Sequence, residues 1–293
     1  VVRTSWGRCG EESTLTATAL RAVGIPARQC YTPRWAHTDN NHAWVEVWVD
    51  GTWYFLGACE PEAELNRGWF AAPAKRTMMV HTNVYGYYNG PEEKNVETPF
   101  YSTINLLENY TTTRKVRVRV VDEFDNPLEN ARVQFKVYNY AELYPVAEEF
   151  TDEDGLASII SGKGDLMVWA EKGTKYGYAK SASTDDQIKI ILDKTPGVVY
   201  DEMYEINVPA EQPVEPLSQE KIDQNNIRLA YEDSIRNAYM NTFATEAYAM
   251  QLAEKEGLDA EKVWKYLQLA QGNWQEIEQF ILSKKSHPEL FSF

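Results

Sequence analysis

The spacing of hydrophobic residues changes along the chain and predicts three kinds of structure in succession. From residue 10 the apolar positions recur at helical spacing, and residues 42–49 then alternate between apolar and polar, which is typical of a strand with one buried face. Between residues 114 and 192, short alternating segments follow one another at similar intervals. Helical spacing returns near residues 219–243, 246–255, 260–270 and 273–284. The pattern predicts a mixed α+β segment, an all-β segment and an all-α segment.

Two polar, turn-rich stretches separate these segments. Residues 87–94 are rich in turn-forming side chains, and Pro209, Pro213 and Pro216 alternate with acidic residues in a stiff linker. We therefore expect a multidomain protein with domains at residues 1–90, 91–208 and 209–293.

A cysteine stands where the first predicted helix begins. Glu11 and Glu12 lie in its first turn, and the unpaired N–H groups and positive dipole end at such a position favour the thiolate of Cys9. His42 begins the first predicted strand, and Asp50-Gly51 is a two-residue hairpin turn that pairs Trp48 with Trp53 and brings the end of the returning strand back beside the histidine. The sequence thus indicates a cysteine nucleophile followed by its base.

Three motifs in this order resemble a known family. They are Gly7-Arg8-Cys9-Gly10-Glu11, Gly24-Ile25-Pro26-Ala27-Arg28 and His42-Ala43-Trp44. The chain resembles the transglutaminase-like branch of the papain-like cysteine enzymes, including the peptide-N-glycanase relatives, over roughly its first 85 residues. The resemblance implies an α+β papain-like core with Cys9 as nucleophile and His42 as general base and acid. Because such a core has elements ahead of its nucleophile helix, we expect that further chain precedes residue 1.

One position departs from the family pattern. The family usually has an aspartate four positions after the tryptophan of the returning strand, where it orients the histidine, and this chain has Gly57 there. Glu60 is the nearest acid, and we predict that it takes the orienting role if a bulge or the turn into Pro61 rotates it toward His42.

Aromatic residues around these motifs suggest a substrate cleft. We expect Trp6, Tyr31, Trp35 and Trp44 to contact substrate, although the same rings could equally pack in the core. We expect no cofactor and no metal, since no Cys-x-x-Cys or His-x-x-x-His spacing supports a zinc site at Cys9, Cys59 and His42. A disulfide between Cys9 and Cys59 stays open as an alternative.

The middle segment also resembles a known kind of module. Asn126-Pro127-Leu128, the turn at residues 151–155 and Gly164-Asp165-Leu166 resemble carboxypeptidase regulatory-like or transthyretin-like modules. The resemblance implies an antiparallel, Ig-like β-sandwich that serves as a spacer or binding platform. Because such modules accompany many secreted and surface enzymes, it also implies an extracellular, periplasmic or cell-surface location.

Charge and hydropathy limit the partners. A net charge of -15 disfavours nucleic acid and anionic membrane surfaces, and no apolar run approaches the ~20 residues that span a bilayer. The transglutaminase-like resemblance implies cysteine-dependent acyl transfer or hydrolysis at the amide bond of a protein, peptide or glycopeptide. The alternative is a catalytically silent transglutaminase-like protein that acts as a binding or structural module. The oligomeric state stays open.

Overall fold

A computed structural model describes residues 1–58 and 62–284. The chain forms two compact units, one of residues 8–221 and one of residues 1–7 together with 222–293. Among the residues described, no helix is both long and apolar enough to cross a membrane.

The first predicted helix is confirmed as α1 (Cys9–Ala22). The Glu11 carboxylate accepts a hydrogen bond from the backbone N–H of Arg8, which caps the first turn. Gly24, at φ +84°, lets the chain leave the helix in a left-handed conformation. Ala17 packs on Val45 and Val47, so α1 covers one face of the sheet that follows.

That sheet has six strands in the order β3-β2-β1-β4-β6-β5. The Asp50-Gly51 turn has φ of 49° and 84°, as a mirror-type hairpin turn requires, and Trp48 pairs with Trp53 as predicted. The sheet continues past residue 90, where we expected a boundary, because β6 pairs with β4 and β5 pairs with β6. Its elements are β1 (Ala27–Thr32), β2 (His42–Val49), β3 (Thr52–Leu56), α2 (Ala71–Ala74), β4 (His81–Val84), β5 (Lys94–Glu97), β6 (Ser102–Asn105) and a 3-10 turn at Leu107–Asn109.

Seven further strands form two sheets that share one hydrophobic core. Val118 and Ile159 from one sheet and Phe135 and Val168 from the other belong to the same fully buried cluster. The sheet orders are β10-β7-β13 and β12-β11-β8-β9. The strands are β7 (Thr113–Val121), β8 (Arg132–Asn139), β9 (Glu142–Phe150), β10 (Leu156–Gly162), β11 (Leu166–Lys172), β12 (Lys175–Ser181) and β13 (Gln187–Ile191).

The expectation of a wholly antiparallel arrangement is wrong for one pair of strands. β13 lies parallel to β7, with Ile190 opposite Val120. After β12 the chain leaves the four-stranded sheet and enters the three-stranded sheet in the same direction as β7. Parallel strands cannot be joined by a tight hairpin, and here five other strands lie between β7 and β13 in the chain.

The C-terminal helices agree closely with the hydrophobic spacing. Thr245 and Asp259 cap two of them by accepting hydrogen bonds from the backbone N–H groups of Tyr248 and Lys262. Leu252 and Leu267 lie in their shared core. The helices are α3 (Gln219–Met240), α4 (Glu246–Glu256), α5 (Ala260–Ala270) and α6 (Trp274–Ser283).

A buried carboxylate ties the first sheet together. Glu46 is 1% exposed; its Oε2 accepts a hydrogen bond from Arg28 Nε at 2.6 Å, and its Oε1 accepts bonds from the Tyr110 hydroxyl at 2.6 Å and the Asn109 amide at 3.1 Å. The Tyr110 hydroxyl in turn accepts a bond from the Trp44 indole N–H at 2.7 Å. Both carboxylate oxygens are therefore occupied, which offsets the cost of burying the charge.

We expect the Glu46→Ala substitution to lower the free energy of unfolding by about 3 kcal/mol, because the buried Arg28 guanidinium loses its nearer counter-charge and keeps only Glu92 at 3.4 Å, and because Tyr110 and Asn109 lose their acceptor. Glu123→Ala, which removes an exposed ion pair with Lys175, is the matched control and should cost less than about 1 kcal/mol. Urea denaturation measures both. Equal, small losses in the two variants would contradict a structural role for Glu46.

Candidate active site

Cys9 is the first residue of α1 and is half-buried. The side-chain amide of Gln29 on β1 fastens this first turn to the sheet by donating to Gly10 O at 2.9 Å and Ser13 Oγ at 2.8 Å. At the other end of the helix, Arg21 Nε donates to Ala27 O at the start of β1. The helix therefore runs opposite to β1, and its N-terminus points toward the end of that strand.

His42 lies at the same end of the sheet. It begins β2 and stands opposite Thr32, the last residue of β1. Its side chain points to the face of Trp44, whereas α1 packs on the face of Val45. Within the described residues, no hydrogen bond joins the Cys9 thiol to the His42 imidazole. The fold thus brings the two residues to one end of the sheet but on opposite faces.

Aromatic rings enclose the imidazole of His42. Its ring centroid is 4.7 Å from Trp69, 4.9 Å from Phe70 and 5.8 Å from Trp44, and the residue is 6% exposed. Burial among these rings lowers the pKa of His42 to about 4. The imidazole is therefore neutral at neutral pH, which is the form that accepts a proton.

The predicted orienting acid, Glu60, lies outside the described residues, as does Cys59. The ladder between β2 and β3 extends from Val49 and Thr52 to Val45 and Leu56. Gly57, where the family usually has its aspartate, follows the end of β3 and is buried.

The four predicted substrate residues lie in different surroundings. Trp35 and Trp44 are buried, with parallel rings 6.5 Å apart, and support His42 from within the core. Tyr31 is half-buried and lines a groove, described below. Trp6 is 50% exposed and belongs to the other compact unit.

The groove beside Tyr31 lies on the α1 face of the sheet. β1 and β4 pair at a single position, Tyr31 with His81, so the strands diverge there and leave a cleft of about 680 Å³. Thr14 and Arg21 of α1 form one wall, and Asn83 and Tyr85 lie on the other side. The cleft offers both ring surface and hydrogen-bonding groups on the face that carries the Cys9 helix.

Within residues 1–58 and 62–284, no cluster of three acidic, histidine or cysteine side chains could hold a metal ion.

Sequence reasoning missed Asn139, which holds the loop that leads into His42. This buried side chain at the end of β8 donates to Trp35 O at 2.8 Å and to Thr38 O at 2.9 Å. Beside it, the Tyr140 backbone N–H donates to Asp39 Oδ1 at 2.6 Å. Because these partners are about a hundred residues apart in the chain, no local pattern could have indicated the contact.

The hairpin that presents Asn139 has a costly turn. Tyr140 and Ala141 have φ of 51° and 58°, a left-handed conformation that non-glycine residues rarely adopt. Arg34 lies over the Tyr144 ring at 4.2 Å and over the Tyr140 ring at 5.9 Å. The contacts with residues 34–40 help to hold this turn in place.

The sequence matches the family model of the transglutaminase-like superfamily over residues 1–58. No curated protein matches it. Among solved structures, the chain is similar to a streptococcal ancillary pilin at 8% sequence identity and a TM-score of 0.24, with 56% of this chain and 61% of the pilin chain covered. A likeness at this level supports no conclusion about fold or function. The matched family segment ends just after β3 and contains both Cys9 and His42.

We expect Asn139→Ala to free the loop at residues 35–41, because four backbone groups of the loop lose their partner. Amide hydrogen exchange in this loop should accelerate at least about tenfold, which corresponds to ~1.4 kcal/mol of local stability. Hydrogen-exchange mass spectrometry measures this, with Asn126→Ala at an exposed turn as the control. Unchanged exchange in the Asn139 variant would show that the loop is held by other contacts.

We also expect stability to fall as the pH falls from about 6.5 to 4. Burial lowers the pKa of both His42 and His81 to about 4, below the ~6.5 of an unfolded histidine. In this range the unfolded chain binds more protons than the native chain. Each histidine therefore lowers the free energy of unfolding by up to ~1.4 kcal/mol for each unit by which the pH falls. Urea denaturation at several pH values should give a steep slope that becomes shallower in His42→Gln. An identical slope in that variant would contradict the burial effect.

Proposed function

We propose that this protein is a cysteine-dependent acyltransferase or hydrolase that acts at amide bonds. The observation that carries the proposal is a half-exposed cysteine on the first residue of a helix, inside the segment that matches the transglutaminase-like superfamily. A neutral imidazole at the same end of the sheet supports it.

The proposed reaction has two halves. The sulfur of Cys9 forms a bond to the carbonyl carbon, and its proton passes to His42. Backbone N–H groups of the first helical turn stabilise the negative oxygen of the tetrahedral intermediate. The C–N bond then breaks, and His42 gives the proton to the leaving amine. Water or a second amine resolves the thioester, passing its proton to His42 and from there to the sulfur.

This chemistry requires the imidazole to reach the thiol. The two groups share no hydrogen bond among the described residues, and a general base must come within hydrogen-bond distance when substrate binds. The Asn139 contacts bear on this step because they fix the loop from which His42 emerges. In the proposal, Glu60 orients the imidazole in place of the side chain that Gly57 lacks.

The proposed substrate is a protein, peptide or glycopeptide whose amide enters the groove beside Tyr31. Mixed ring surface and hydrogen-bonding groups suit an extended polypeptide. The proposed location is extracellular, periplasmic or at the cell surface, on the resemblance of the middle segment to Ig-like modules that accompany secreted and surface enzymes.

A second candidate function is a catalytically silent binding or structural module. Three observations favour it: the glycine at the position of the family aspartate, the enclosure of His42 by aromatic rings, and the placement of His42 on the sheet face opposite to α1. A test for thioester formation on Cys9 distinguishes the enzyme from the silent module.

We expect Cys9 to form a thioester that mass spectrometry detects after incubation with a glutamine-containing protein such as casein. Incorporation of a fluorescent amine into casein would identify transamidation, and release of ammonia or peptide without incorporation would identify hydrolysis. Cys9→Ala should abolish the reaction, and His42→Gln should slow it by about a hundredfold or more. Asn126→Ala, at an exposed turn outside the segment that matches the family model, is the control and should keep full activity.

Cysteine labelling supplies an independent check. Iodoacetamide should modify the half-exposed Cys9 in the native protein, whereas Cys30 is fully buried and should stay unmodified. A reactive Cys9 without any thioester or turnover would favour the silent module. Activity that survives in Cys9→Ala would contradict the proposed nucleophile.

A further inference from the structure

A second cleft lies on the outer face of the four-stranded sheet of the sandwich. Its volume is about 320 Å³, within the size range of small-molecule sites. Strands β8, β11 and β12 form its floor, and residues 200–206 form its other wall. Its aromatic lining residues are Tyr138, Trp169, Tyr178, Tyr200 and Tyr204.

The aromatic rings that line this cleft lie outside the hydrophobic core between the two sheets. Trp169 is nearly parallel to Tyr176 and Tyr178, with centroids 4.4 Å and 5.7 Å away, and the Tyr200 ring stands perpendicular to Tyr176. Tyr200 is 38% exposed and Tyr138 is 56% exposed. The sandwich core lies on the opposite face of the same strands. An exposed group of rings on a regular sheet is more typical of a binding surface than of packing.

The wall at residues 200–206 is fastened to the sheet. Asn207 N donates to Asp165 Oδ2 at 3.0 Å, and Lys180 Nζ donates to Glu205 O at 3.0 Å. Glu202 accepts hydrogen bonds from the hydroxyl groups of Tyr178 and Tyr204. The cleft is therefore already formed, and a ligand would find its rings in place.

The charges around the rings favour a neutral ligand. The Lys136 ammonium lies 5.2 Å from the centre of the Trp169 ring, and Lys194 lies 5.0 Å from that of Tyr200. The Trp169 ring thus lies between Lys136 and the stacked Tyr176 ring, and it stays in place beneath a ligand. The two ammonium groups beside the cleft would repel a cationic ligand. Glu202 and the net charge of -15 disfavour an anionic ligand.

The polar groups also disfavour a purely apolar ligand, which would desolvate Lys136 and Glu202 without bonding to them. Lysine only donates hydrogen bonds and an ionised carboxylate only accepts them. A sugar hydroxyl can do both, and a pyranose ring also offers a flat face of C–H groups to an aromatic ring. A proline-rich peptide offers acceptors but few donors for Glu202.

We propose that this cleft binds a neutral oligosaccharide, with sugar rings stacked on Tyr138 and Tyr200 and hydroxyl groups bonded to Lys136 and Glu202. The site is separate from Cys9 and His42, and the proposal does not depend on the acyl-transfer chemistry.

Isothermal titration of the full chain tests this with neutral hexasaccharides of glucose, mannose, xylose and N-acetylglucosamine, and with decaproline. We expect at least one hexasaccharide to bind with a Kd below about 1 mM, the weak end of specific binding. Tyr138→Ala and Tyr200→Ala should each weaken that binding at least about tenfold. Phe124→Ala is the matched control, because Phe124 is 83% exposed and lies outside the cleft.

Tyr200 lies outside the strands, so we expect the Tyr200→Ala variant to unfold at the same temperature as the wild type. A loss of oligosaccharide binding in this variant then reports on the cleft and not on a loss of folding. Three results would overturn the proposal. They are no binding of any hexasaccharide, equal binding by wild type and Tyr200→Ala, or binding of decaproline alone.

Discussion

The carboxylate of Glu46 is the constraint on which the first sheet depends. It is buried on the face that also carries Trp44 and His42, and a buried charge persists only if its partners are fixed. Arg28 provides the counter-charge from β1, and Tyr110 and Asn109 reach it from beyond β6. Residues far apart in the chain must therefore come together before the charge can be accommodated.

This network also connects two of the sequence motifs. Arg28 ends the Gly-Ile-Pro-Ala-Arg motif, and Glu46 follows the His-Ala-Trp motif by two residues. Their ion pair at 2.6 Å lies across the β1–β2 ladder, where the two residues stand directly opposite each other. The facing carboxylate raises the pKa of the Arg28 guanidinium even though burial lowers it. The two motifs thus supply an ion pair that holds β1 and β2 together beneath His42, in addition to the candidate catalytic residues.

Local patterns predicted the elements whose contacts are local. The start of α1, the Trp48 to Trp53 register and the four C-terminal helices follow from capping, turn chemistry and hydrophobic spacing. The parallel pairing of β13 and the continuation of the first sheet through β6 did not follow, because they depend on strands that meet only after the chain has folded back. Side-chain alternation also placed His42 on the face of Trp44, but it could not show which face α1 would cover.

The middle segment is more closely tied to the candidate active site than the term spacer implies. The side chain of Asn139 bonds to backbone groups of the loop at residues 35–40, so removing the two sheets of residues 113–191 would expose these groups and free the start of β2. The left-handed backbone at Tyr140 and Ala141 costs conformational free energy, and contacts with that loop hold the turn in place. The hairpin and the loop therefore stabilise each other. A movement of the His42 backbone relative to α1 would have to change this contact as well, because the loop that Asn139 holds leads directly into β2.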